Sequence, residues 1–336
     1  MASKDIIVIG GSAGSGAVLK RVLADLPADL PASVLIATHV PARSRGYVAE
    51  MLADAGPLPV TAAVDGQPIE PGRVYTAVPD RHLLVLNGAI RLGEGPRENM
   101  SRPAIDPLFR SAALAYGGRA VGVVLTGMLN DGASGLHAIK ARGGTAIVQH
   151  PVDAEANQMP LAALQAVTVD EVASAADLGR VIAEAARAEA GADRPWTDAL
   201  RLEVLIAAGA RLGSGTLRTL ADPSPITCPD CHGVMSEVRG GRPLRFRCQI
   251  GHAHTAETLA ALNPEVDEAV RIAMRIMEER VTLVKRMAED AREGGRDAVA
   301  ELYESRAEEY GRYASALREA ALLSVRMRSA QTEEEI

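Results

Sequence analysis

Ser12 stands in "VIGGSAGSG", Val8 to Gly16, a serine ringed by glycines directly after a run of β-branched apolar residues. Gly10-Gly11-Ser12-Ala13-Gly14 matches the G-x-S-x-G elbow, in which a sharp strand-to-helix turn exposes a nucleophilic hydroxyl. Two other glycine loops fail on spacing. A dinucleotide fingerprint needs glycines at relative positions one, three and six, which no register of "GGSAGSG" supplies. A phosphate-cradling P-loop needs a Lys-Ser/Thr pair after its last glycine, and Ala17-Val18 follow here. The motif alone still leaves open a glycine turn with a helix-capping serine.

A serine nucleophile needs a base within hydrogen-bond reach and an acid that orients the base. The chain has seven histidines. His39, in "VLIATHVP", stands just past an apolar run, and Asp131, in "VVLTGMLNDGASG", lies in a glycine-rich loop after another. If both runs are parallel strands beside the first, all three side chains meet at the carboxyl edge, where open α/β sheets bind ligands. The rivals are weaker. His150 also follows an apolar run but is followed by no small-residue loop, and Asp106 in "RPAIDPLF" reads as a helix N-cap.

A second chemistry lies downstream. All three cysteines fall between Cys228 and Cys248. Cys228-x2-Cys231, then Cys248 and His252 with three residues between, have the spacing of two knuckles around one tetrahedral metal. Zinc is the expected ion, structural because four protein ligands leave no open position. His254 and His232 are alternative fourth ligands, and a metal-free loop with buried thiols is the alternative to a metal altogether.

The elements that must position these residues follow from apolar patterning. Short runs at Ile6–Ile9, Val34–Ala37, Val121–Leu125 and Thr145–Val148 read as buried strands. Helix-like stretches alternate with them near Ala17–Ala24, Gly46–Ala53, Asp106–Ala115 and Leu136–Ala141, and a final amphipathic helix lies near Ala175–Ala186. This alternation predicts a doubly wound, mostly parallel α/β sheet over residues 1–190. "RVYTAVPDRHLLVLNGAIRL" breaks the rhythm and reads as antiparallel strands at the sheet edge. Residues 191–225 read as a linker, 226–256 as a zinc-ribbon-like segment and 263–327 as a helical hairpin. Asn263-Pro264 forms the cap of the hairpin and Gly294-Gly295 its turn. Its apolar stripe runs through Val266, Val270, Met274, Met277, Val281 and Val284, then Val299, Leu302, Tyr303, Tyr310, Ala314 and Leu317. The two helices are expected to pack on each other and on the first domain, and they are also a route to oligomers.

Across its 336 residues the chain is 47% hydrophobic and 24% charged with a formal net charge of −7, which argues against broad attraction to nucleic acid. No apolar run approaches a membrane span and none suits a secretory signal, so a cytoplasmic protein is expected.

The first domain resembles the CheB-type protein-glutamate methylesterases of bacterial chemotaxis. "VIGGSAGSG", "THVP", "VYTAVPDRHL", "SRPAIDPLFRSAA", "GVVLTGMLNDGASGL", "KARGGTAIVQ" and "QMPLAAL" carry the resemblance from Ile6 to about Ala190. It implies a Ser12–His39–Asp131 triad, an active-site methionine at Met128, no catalytic cofactor, and hydrolysis of γ-glutamyl methyl esters on methylated chemoreceptors, with glutamine deamidation in some members. Departures from the family pattern are Ala13 where threonine is frequent, Gly14-Ser15-Gly16 where a second glycine pair is often found, and His150 where aspartate is common. Ser12 also lies close to residue one, so an N-terminal receiver domain is expected to be lacking. The alternatives are a serine hydrolase for another ester or amide on the same residues and a non-enzymatic signalling scaffold of the same family.

Overall fold

The structure is a computed structural model that describes residues 3–41, 47–211, 214–261 and 264–333. The chain divides into two compact units, Met1–Leu259 and Ala260–Ile336. In the first, chain order runs β1 (Ile6–Gly11), α1 (Ser15–Asp25), β2 (Ser33–Thr38), α2 (Val48–Leu52), β3 (Val60–Ala62) and β4 (Val74–Thr76). A hairpin follows, β5 (His82–Leu86) and β6 (Ala89–Gly93), then α3 (Ile105–Tyr116), β7 (Ala120–Val124), α4 (Ala133–Ala141) and β8 (Thr145–Gln149). The α/β part closes with α5 (Gln158–Ala166), β9 (Glu171–Ala173) and α6 (Leu178–Arg187).

Seven strands pair in the order β3-β4-β2-β1-β7-β8-β9, every neighbouring pair parallel. The chain works outward from β1 on one side and then crosses to β7 on the other, so the topological switch point lies at β1 and β7. All six residues of β1 are buried. Ile6 and Val8 pack with Phe109 of α3 and Leu136 of α4 in one core, and Ile7 and Ile9 with Leu19 of α1 and Ile182 of α6 in the other. A strand covered on both faces requires an unbroken apolar run, which is why "IIVI" shows no polar alternation. The expected antiparallel pair is the β5–β6 ladder, a separate two-stranded sheet, while Val74–Thr76 joins the main sheet in parallel. Gly46, at the head of one expected helix, lies outside the described residues.

The stretch 191–225 differs from the expected linker. It holds α7 (Asp198–Ala207), α8 (Ser214–Leu220) and the start of β10 (Ala221–Thr227). Thr197 caps α7 by accepting from Leu200 N–H at 3.2 Å, and Leu200, Val204 and Ala207 bury a helical stripe. The lack of periodicity in "AEAGADRPW" is real, but it ends at Trp196. Next come β11 (Val234–Val238), β12 (Arg245–Cys248), β13 (Ala253–Thr255) and α9 (Ala256–Ala261), with β10 to β13 paired as one antiparallel sheet.

In the second unit, α10 (Pro264–Glu293) and α11 (Asp297–Glu333) are joined through Gly294 and Gly295. Asn263, the expected cap, lies outside the described residues, as does the side chain of Val266. The expected stripe lies along the seam, with Ala314 buried and Val270, Met274, Met277, Val281, Val284, Tyr303, Tyr310 and Leu317 half-buried, but Val299 and Leu302 are exposed. Among the described residues the buried ones are alanines, Ala288 and Ala291 on α10 and Ala300, Ala307 and Ala314 on α11. The seven-residue spacing on α11 makes a narrow seam in which small side chains let the backbones approach.

Candidate active site

Ser12, His39 and Asp131 follow the carboxyl ends of β1, β2 and β7, three adjacent strands. Pairing continues past the strands, with Leu125 N–H donating to Gly10 O and Ser12 N–H to Thr126 O, which fixes the turn holding the serine. Gly14 takes φ 74° to start α1, a conformation that disfavours a side chain. Gly10 admits α3 against the strand: a Cβ there would lie 2.2 Å from Ile105 Cγ2.

The Ser12 hydroxyl lies 3.1 Å from His39 Nδ1, and His39 Nε2 lies 2.7 Å from Asp131 Oδ2. The imidazole therefore presents Nδ1 to the serine and Nε2 to the acid. The Nε2–H tautomer satisfies both contacts, donating to the carboxylate and offering a lone pair to the hydroxyl. Asp131 is buried and His39 partly exposed, so the acid is shielded while the base reaches solvent.

Asp131 accepts from more than His39. Oδ2 takes Ile105 N–H at 2.7 Å, and Oδ1 takes the N–H groups of Asp106 and Gly132 and the Asn99 amide. Ala104, the residue at the N-cap of α3, makes no side-chain cap, so the carboxylate of Asp131 performs that function from another part of the chain. Asp106 returns the arrangement. Its Oδ1 accepts from Gly132 N–H at 3.1 Å and Gly135 N–H at 2.6 Å, at the start of α4. Asp106 thus caps the neighbouring helix rather than its own. Each acid completes the other's helix.

Burial alone would raise Asp131, but the hydrogen bond and charge of His39, with the Ile105 and Asn99 donors, hold its carboxyl below the usual carboxylate range. At Asp106 the charges of Arg110 and Arg245 and the Gly135 N–H are outweighed. Burial and the charge of Asp131 push it up to about 7. His150, the rival base, is exposed and accepts from Val152 N–H instead. Met128 is exposed in the β7–α4 loop, next to Gly127, where a Cβ would lie 2.8 Å from Ser12 Cβ. Ala13 is exposed beside the serine, its carbonyl accepting from Thr126 Oγ1.

A charged network that the residue pattern had not suggested lies beneath this edge. Glu98 and Glu203 are buried among Arg110 of α3 and Arg245 and Arg247 of β12. Glu98 pairs with Arg110 and with Arg247, the latter at 3.0 Å, and Glu203 with Arg245 at 2.6 Å and Arg247 at 3.1 Å. The network fastens the antiparallel sheet to the α/β sheet. A charged residue in a helix reads as solvated face, and only the arginines alternating in "RFRC", a strand that also carries an apolar side chain and a cysteine, hint otherwise.

The cysteines converge as their spacing suggested. One ligand atom from each of Cys228, Cys231, Cys248 and His252 lies within 4.8 Å of the others. Cys231 Sγ and Cys248 Sγ are 3.7 Å apart, and Cys248 Sγ and His252 Nδ1 3.5 Å. Thiolates about 2.3 Å from a tetrahedral zinc would lie about 3.8 Å apart, so the donor set fits that ion. Two turns shape the knuckles, with His232 N–H donating to Cys228 O and Gly251 N–H to Cys248 O. Of the alternative fourth ligands, His254 bonds Asp230 at 2.8 Å and forms a second grouping with Asp230 and Cys228, while His232 joins neither grouping among the described residues. Burial pushes the Cys228 thiol up to about 12 and raises Cys248 too.

Comparison with known proteins agrees with the geometry. Residues 7–182 match the CheB methylesterase family. A protein-glutamate methylesterase/protein-glutamine glutaminase of Maricaulis maris is 38% identical over 190 residues, 55% of this chain and 47% of that protein, so the chain spans about half the length of this relative. A putative enzyme of the same description from Leptospira interrogans is 40% identical over 171 residues, 51% of this chain and 89% of that protein. The crystal structure of the Thermotoga maritima CheB methylesterase catalytic domain superposes with a TM-score of 0.52 at 32% identity, covering 55% of this chain and 99% of that one. The match falls on the α/β sheet and its carboxyl edge, and the chain belongs to the CheB methylesterase family.

Proposed function

We propose that the chain is a serine-dependent protein-glutamate methylesterase, hydrolysing γ-glutamyl methyl esters of chemoreceptors and, on the same residues, deamidating glutamine. The observation that carries this is the pair of contacts from His39, 3.1 Å to Ser12 Oγ and 2.7 Å to Asp131 Oδ2, at the carboxyl edge of the sheet. Ser12 Oγ attacks the ester carbonyl while His39 Nδ1 takes its proton. The oxyanion develops beside the start of α1, where Ala13 and Gly14 present main-chain amides and the helix dipole favours negative charge. His39 returns the proton to the departing methanol. Water then attacks the acyl-enzyme with the same base. Asp131 stays ionised throughout, holding the tautomer and stabilising the imidazolium. Exposed Met128 supplies an adaptable apolar contact for the polypeptide that carries the ester.

We also propose that Cys228, Cys231, Cys248 and His252 hold a structural zinc ion. The ion would tie the two knuckles together and takes no part in the ester chemistry. Among the described residues no helix is long and apolar enough to cross a membrane. The test of function is methanol release from a methylated receptor fragment by wild type and Ser12→Ala. Release by the wild type alone supports the proposal, and equal release by both overturns it. Metal analysis of the purified protein tests the zinc: one equivalent is expected, and none would refute it.

A further inference from the structure

Asp131 is not held by its own domain's helices alone. Asn99 sits with φ 47° in the loop before α3, and its Nδ2 donates to Asp131 Oδ1 at 3.1 Å and to Asp106 Oδ2 at 3.2 Å. Its other polar groups face β13. Asn99 N–H donates to Ala253 O at 2.8 Å, and Asn99 Oδ1 accepts from Thr255 N–H at 3.2 Å. Asn130, directly before Asp131, is fixed from the same side. Its Oδ1 accepts from the hydroxyls of Thr255 at 2.7 Å and Thr258 at 3.0 Å, and its Nδ2 donates to Glu257 at 2.8 Å. Asn99, Asn130, Thr255 and Thr258 are all buried. The side-chain hydrogen bonds of the two asparagines therefore run to Asp131, to its partner Asp106, to β13 or to the first turn of α9.

We propose that Asn99 and Asn130 are positioning residues for Asp131, and that the Cys/His segment with the α9 helix that follows it, through Thr255 and Thr258, is a working part of the ester-cleaving site rather than an appendage. This rests on the assignment of Ser12, His39 and Asp131 as a triad. Among the described residues, Asn99 is the one neutral side chain whose hydrogen bonds reach both buried carboxylates at once. It offsets their mutual repulsion and holds Asp131 Oδ2 toward His39. An aspartate of the same shape would substitute an acceptor and a third negative charge. The φ of Asn99 also suits glycine, so removal of the side chain need not strain the loop.

The test is the rate at which a fluorophosphonate probe labels Ser12 in the full chain, followed against pH. Asn99→Asp and Asn99→Gly are expected to lower the labelling rate about 10- to 100-fold, the loss that goes with one hydrogen bond to a charged group. Thr255→Val with Thr258→Val is expected to lower it by about 10-fold, because the Asn130 carbonyl loses both donors. Asn99→Asp should also move the acid-side fall-off of labelling to higher pH. A third carboxylate beside Asp131 and Asp106 makes an added proton anywhere in this cluster more favourable, with Arg110, Glu98 and His82 around it unchanged. A merely loosened structure would lower the rate without moving that limb. If wild type labels at Ser12 and the Asn99 variants label at its rate with the same pH limb, the positioning role is overturned. If wild type does not label at Ser12, the triad assignment falls, and this role with it.

Discussion

The carboxyl edge of the sheet and the Cys/His knuckles each gather side chains from separated parts of the chain onto one point. What holds them there differs. At the edge, Asp131 is met by main-chain N–H groups of two helix starts and by side chains of two more segments, so its charge is compensated by the fold itself. At the knuckles, three thiols and an imidazole face one another, and burial pushes Cys228 and Cys248 upward. At the first site, protein donors answer the charge. The second is a set of like donors that a cation would reconcile. With the proposed zinc, preorganisation would come from two sources in one compact unit, hydrogen-bond donors in one place and a ligand in the other.

Removing the Ser12 hydroxyl should separate the two. Ser12→Ala is expected to lower kcat for methanol release by about 10⁶-fold while leaving metal content unchanged, measured on the same preparation. Asp131→Asn comes next, at about 10⁴-fold in kcat, because an amide cannot hold the imidazole in the required tautomer. It should also cost stability, since the amide presents N–H where Ile105 N–H needs an acceptor. A urea midpoint equal to wild type would show that the cap contributes nothing.

The seam between the two sites is the third target. Arg247→Met leaves Glu98 and Glu203 short of a buried partner and should cost about 3–5 kcal/mol in urea unfolding. A neutral result would mean that apolar packing, not charge, joins the two sheets. The same carboxylates set an acid limit. Burial alone would raise both, but Arg110 and Arg247 hold Glu98, and Arg245 and Arg110 hold Glu203, below the ordinary 4.5. Their stabilisation is therefore complete above that pH and is lost as pH falls below it, by about 1.4 kcal/mol per pH unit for each carboxylate protonated only on unfolding. Urea midpoints measured from pH 5 to pH 3 check this, and Glu203→Gln should flatten the slope. The smallest expected effect belongs to chelation. Amide exchange in β11 and β12 should quicken by about 10-fold, near 1.4 kcal/mol of local stability, while β1 and β7 stay unchanged. Uniform quickening across both sheets would erase the distinction drawn above.

Much of the edge is legible in the residue pattern. β-branched runs ended by small residues mark β1, β2 and β7, and parallel pairing places whatever follows them on one side. The knuckles are legible because ligand spacing is local. The rest escapes for physical reasons. Asn99 carries no motif, and its role depends on a segment more than 150 positions away. Asp106 looks like a cap for its own helix, because first-turn acids usually are, and only the crossing of α3 and α4 turns it to its neighbour. Arg110, Glu203 and Arg247 are charges that a linear reading assigns to solvent. Helix α7 was legible, through Thr197 and the Leu200–Val204–Ala207 spacing, but the unpatterned residues before it masked the signal.

The exchanged caps of α3 and α4 have a consequence for how the chain folds. Each helix takes part of its first-turn capping from a carboxylate at the start of the other. The two should therefore consolidate in one kinetic step. Conservative changes along either helix should give similar φ-values, and the acid reaches its working place only when that step is complete. On the proposed mechanism the residue that orients the base also joins the starts of two helices, so a substitution at Asp131 is expected to act on folding as well as on the chemistry.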